Sequence, residues 1–122
     1  MPSQMRDLLA AEFETDDRFH LVAAQEISTH RLPAVYLACA GRVIQGGSRH
    51  LRELIRVILV IAPMDTKEPW EDVNDNIDDA LEIIYTVDNT FPELRDISTT
   101  TIKTQDKTAK DFAAIVIQVI GP

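Results

Sequence analysis

Residues 51–62, LRELIRVILVIA, begin by alternating apolar and polar positions and finish apolar on both sides. Alternation is the period of a strand with one wetted face, and an unbroken apolar run is that of a strand covered twice. The stretch therefore predicts a central strand whose far end is buried on both faces, stopped by Pro63. Downstream the period changes. Trp70, Val73, Ile77, Ala80, Leu81 and Ile84 recur at helical spacing, and carboxylates and amides fill the rest of the circumference. This predicts an amphipathic helix from Pro69 to about Val87, with Asp65 or Thr66 as its cap and Trp70 as an anchor in the core.

The remaining elements follow from the same reading. Met5, Leu8, Leu9 and Phe13 give a first helix over residues 3–14, with Ser3 as N-cap. A short strand is expected from Phe19 or His20 to about Gln25. Pro33 opens a strand reaching about Ala40, because proline is tolerated at a strand start. Glycines 41, 46 and 47 mark GRVIQGGSRH as a loop. RDISTTTIKT and DFAAIVIQVI read as a closing hairpin, the first strand rich in β-branched residues. The order is α-β-β-β-α-β-β. Its class is α+β, an antiparallel or mixed β-sheet with two main helices packed on it.

At 122 residues and 45% hydrophobic content the chain is the size of one domain with a real core. No apolar run reaches membrane-spanning length, and the N-terminus has no apolar segment behind a basic start, so no secretory signal is expected. A single cysteine, Cys39, excludes an internal disulfide, fits a reducing compartment and reads as a small core residue. The net charge of −8 and pI near 4.7 disfavour tight binding to nucleic acid or an anionic membrane. They do suit a wall that DNA passes without sticking.

The search for chemistry yields little. Asp72, Asn74 and Asn76 have the first spacings of an EF-hand loop, but its obligatory Gly and Glu positions hold Ile77 and Ile83. His20, His30 and His50 are scattered and lack a second ligand at metal spacing. No nucleophile elbow, P-loop or dinucleotide fingerprint is present. No catalytic, cofactor or metal residue is assigned, and no enzymatic activity is expected. Two charged groups stand out as contact surfaces. Arg42, Arg49, His50, Arg52 and Arg56, with Gln45 in the same tip, form a basic stretch in an acidic chain. Asp72, Asp75 and Asp79 lie on the acidic helix.

Taken in order, the pieces resemble a known family. They are the short N-terminal amphipathic helix, LPAVYLACAG opening a hairpin, the Gly/Arg tip GRVIQGGSRH and the long strand LRELIRVILVIAP. EPWEDVNDNIDDALEII and the Thr-rich to apolar hairpin complete the set. This layout resembles the tail terminator family of long-tailed bacteriophages over nearly the whole chain, as an architecture and not as a residue signature. The resemblance implies a virion protein, a homohexameric ring that caps the tail tube at its head-proximal end. It implies that the ring ends tube polymerisation and offers a surface to head–tail connector and neck proteins. Its partners would be itself, the tail tube protein and those neck proteins, with DNA passing through unbound and no membrane contact. Its place would be the virion tail, after assembly in the host cytoplasm. The alternatives are another neck, head–tail connector or tail-completion protein, or a small ligand-binding α+β module.

Overall fold

The chain was analysed as a computed structural model, which describes residues 4–44, 51–87, 93–103 and 110–121. Helix α1 spans Gln4–Thr15 and strand β1 spans His20–Leu21. Two 3-10 turns follow, Ala24–Glu26 and Thr29–Arg31. Then come β2 (Ala34–Ile44), β3 (Leu51–Pro63), α2 (Val73–Tyr85), β4 (Glu93–Lys103) and β5 (Asp111–Ile120). The fold is α+β. One mixed sheet has the order β1-β2-β3-β5-β4, antiparallel throughout except that β1 runs parallel to β2.

The apolar run in β3 has the cause expected for it. Val57 to Val60 are all buried because β3 lies between β2 and β5 and both of its faces are covered. On one face Val35, Ile55, Val57, Leu59, Ile115, Ile117 and Val119 meet Leu9 and Phe13 of α1 and Ile83 and Ile84 of α2. On the other, Ala34, Ile58, Val60, Phe112 and Ala114 are roofed by Val22 and Ile27 from the irregular segment between β1 and β2. We call these the helix face and the far face. Each fully buried Ile, Leu or Phe contributes roughly 1.5–3 kcal/mol of transfer free energy, so both layers matter to stability.

Several local expectations are corrected. The second helix begins at Val73, not Pro69, and Asp72 occupies its N-cap without a side-chain cap bond. Residues 69–72 are turn, so Trp70 is only half-buried and lies outside both core clusters. Ile83 and Val87 take the buried positions, and Val73, Ile77 and Leu81 pack at the margin. The expected strand over residues 19–25 shortens to two residues, because the chain leaves the sheet after Leu21 to roof the far face. Strand β2 runs four residues beyond Ala40, so Gly41 to Ile44 belong to the ladder and not to a loop. A register shift between Cys39 and Gly41 makes this possible, with Gly41 at φ 112°, a conformation that favours glycine. Cys39 is exposed and not a core residue.

Candidate functional site

The arginines that the sequence brings together are distributed by the sheet. Arg42 lies across from Glu53 on β3, in line with the helix face, and is exposed. Arg52 and Arg56 alternate to the far face, where Arg56 shares a row with Ala38, Gln118 and Asp96. Arg56 is exposed. Arg52 is not a free contact. Its Nε donates to the Gly121 carbonyl at 2.9 Å, and its guanidinium pairs with Glu93. Gln45, Arg49 and His50 lie outside the described residues.

The acidic helix divides in the same way. Asp72 and Asp75 are exposed, and the Asp72 carbonyl accepts from the Asn76 backbone N–H and side-chain amide, both at 2.9 Å. Asp79 is engaged at 3.4 Å by Arg18. That arginine also reaches Glu82 at 3.3 Å and forks onto Asp16 at 2.8 and 2.9 Å. Arg18 therefore ties the turn after α1 to the polar side of α2. The side-chain hydrogen bond from Arg18 holds the Asp16 carboxyl below its ordinary value, against a smaller opposing effect of burial. Nothing in the spacing of TDDR signals this network, because its partners lie some sixty residues away. Among the described residues, Arg42, Arg56, Asp72 and Asp75 have no ion-pair partner.

A groove of about 730 Å³ opens where β1 ends. Its floor is Tyr36, Leu37 and Ala38 of β2, one wall is Arg6, Asp7 and Ala10 of α1, and the other is Ala23 to Glu26. Its titratable groups are Arg6, Asp7, Glu26 and Tyr36, with burial pushing the Tyr36 hydroxyl up. Backbone alternation explains what the floor offers. The carbonyls of Pro33 and Val35 accept from His20 and Val22 at 2.9 and 3.0 Å, so up to the register shift after Cys39 the odd-numbered residues of β2 turn their backbone groups outward. β1 stops at Leu21, paired with Val35, so the outward groups of Leu37 meet no described strand. The opposite edge of the sheet is β4, which no described strand flanks on its outer side. Its residues are exposed except Leu94 and Ile102, and Ile97 is 37% exposed on the helix face.

Compared with known proteins, the chain matches no family model and no curated sequence. Among the described residues, no three His, Cys, Asp or Glu side chains gather as a metal site would require.

Proposed function

We propose that this chain is a structural ring subunit of a long-tailed phage. In this role it caps the tail tube at its head-proximal end, ends tube polymerisation and presents a surface to the neck proteins. The observation that carries the proposal is the pair of opposite, internally unsatisfied charges on one subunit. Among the described residues, Arg42 on β2, Arg56 on β3, and Asp72 and Asp75 at the start of α2 are exposed without an ion-pair partner. A ring is closed by heterologous contacts, which need two different complementary surfaces on each subunit. Six copies of a −8 subunit repel one another unless positive groups are spent at the contacts. Support also comes from the element order, which is the one on which the resemblance to tail terminators rests.

Reversing Arg42 and Arg56 together to Glu tests this in an infected or reconstituted assembly. Each exposed pair contributes only about 0–1 kcal/mol, so the double reversal is needed to turn attraction into repulsion. The variant should fold as wild type by circular dichroism and leave overlong tubes or tails unjoined to heads in electron micrographs. Tails of normal length, joined to heads, from a folded variant would refute the role assigned to these residues.

A further inference from the structure

We propose that the outer edge of β4 pairs antiparallel with the same edge in a second copy of this chain, about a two-fold axis at Thr100. The contact goes beyond the ring reading. It is isologous, closes at two copies and uses none of the charges assigned above to the ring. The first ground is the edge itself. A long exposed edge strand is a template for another strand, and is usually blunted by charge, proline or a bulge. In β4 the bulge and charges gather at Glu93 to Asp96, while Ile97 to Ile102 carries none of these devices. β4 is also exposed on both of its faces, apart from Leu94 and Ile102, so a second sheet edge can approach it.

The second ground is where the backbone groups of β4 point. In an antiparallel ladder, opposite residues turn their N–H and C=O toward each other or away together. The row Val35, Leu59, Ile115 and Thr99 crosses the sheet. Val35 points outward, to Val22. Leu59 therefore points to Ile115, and Thr99 points away from β5. By alternation Ile97, Thr101 and Lys103 do the same, and no described strand receives them.

The third ground is register. With Thr100 on the axis, residues 97–103 of the two copies oppose one another, and the outward-facing residues pair as Ile97 with Lys103 and Thr99 with Thr101. A two-fold normal to the sheet keeps the helix faces of both copies on one side. There the Lys103 stem lies beside the exposed Ile97 and covers it, and threonine meets threonine, a favourable cross-strand pair. On the far face Ser98 opposes Ile102, so no like charges stand opposite each other. A slip that sets Thr99 opposite Thr99 brings Lys103 against Arg95 of the second copy, a like-charge conflict. The reverse slip, with Thr101 opposite Thr101, shortens the overlap to residues 99–103. A second copy is thus the occupant that fits, because it brings an uncharged strand of the same length with its backbone groups already turned outward. The interface is small, so the pairing is weak and concentration-dependent.

The test uses the whole chain in a Cys39→Ser background. Thr100→Cys places one thiol on the axis, in a non-hydrogen-bonded pair whose Cα atoms lie about 4.5 Å apart, within disulfide reach. Mild oxidation should link it into dimers and no larger species. Thr99→Cys is the control, because its counterpart thiol lies a diagonal step away, beyond disulfide reach, and should stay largely unlinked. Thr99→Pro removes an outward N–H that the pairing with β5 does not use, so circular dichroism should be unchanged. It should lower both Thr100→Cys linking and dimer formation in sedimentation at least several-fold. If this proline impairs folding, Thr99→Lys takes its place, setting a like charge near Lys103 of the second copy. Linking of Thr99→Cys as readily as Thr100→Cys overturns the proposal. So does a folded edge variant that dimerises like wild type, or a wild-type monomer at every concentration. A ring-sized oligomer that Thr100→Cys never links overturns the edge pairing and leaves the ring reading. A dimer that grows no further supports the pairing and counts against the ring.

Discussion

Shortening Ile84 to alanine should destabilise the subunit far more than the same change at Ile77, two turns earlier on the same helix. Periodicity puts both residues on one apolar stripe. The structure separates them, because Ile84 is fully buried against the helix face and Ile77 sits at its margin, partly exposed. Ile→Ala removes three carbons, worth about 2.4 kcal/mol of transfer at roughly 0.8 kcal/mol per carbon. At Ile84 the cavity left behind adds to this, within the usual range of about 2–5 kcal/mol. At Ile77 solvent already supplies part of the surroundings and can fill the gap, so about 1–2 kcal/mol is expected on the same scale. Alanine's better helix propensity offsets a few tenths of a kcal/mol at each site and cancels in the comparison. Urea unfolding followed by circular dichroism measures the difference. With a slope of about 2 kcal/mol/M, the midpoint should fall by about 1–2.5 M for Ile84→Ala and about 0.5–1 M for Ile77→Ala, at unchanged slope. The variants must be compared at one protein concentration and in the same oligomeric state, since assembly adds apparent stability. Equal losses at the two sites would refute the placement of α2 on the sheet.

Two further expectations follow from named contacts. Asp16, whose folded carboxyl is held below its ordinary value by Arg18, contributes stability above the unfolded Asp pKa of about 3.9, which is lost as pH falls through the lowered folded value. Asp16→Asn should therefore cost at most about 1 kcal/mol at pH 7, the pair being partly exposed, and progressively less as the pH falls through the lowered folded value; a loss that does not change with pH in urea titrations would discount the ion pair. A Cβ placed on Gly121 would stand 3.0 Å from Met5 Cβ and 3.2 Å from its Cγ, so Gly121→Ala should cost about 1–3 kcal/mol through overpacking; measured against Met5→Gly alone, which removes both of those atoms, adding Gly121→Ala should cost much less, and a full, additive loss would show that the clash is not with Met5.

Much of the architecture is legible in the residues taken in order. The change of period along residues 51–84 separates a doubly covered strand from an amphipathic helix, because burial on one side imposes period 2 on a strand and about 3.6 on a helix. The element order and the closing hairpin come from the same patterns and their turn residues. The missing Gly and Glu that rule out an EF-hand in DVNDN are equally local. Only the tertiary structure decides which groups share a surface. Arg42 and Arg56 lie fourteen positions apart and read as one cluster, yet their ladder registers assign them to different faces. Arg18 meets Asp79 and Glu82 because α1 and α2 pack on one face of the sheet. Cys39 looks like a core residue in its own strand, and is exposed in the fold. The physical reason is the range of the information. Periodicity records how each residue faces relative to its own element's axis. Register, strand order and open edges depend on pairings between segments distant in the chain, which the composition of either segment alone does not specify.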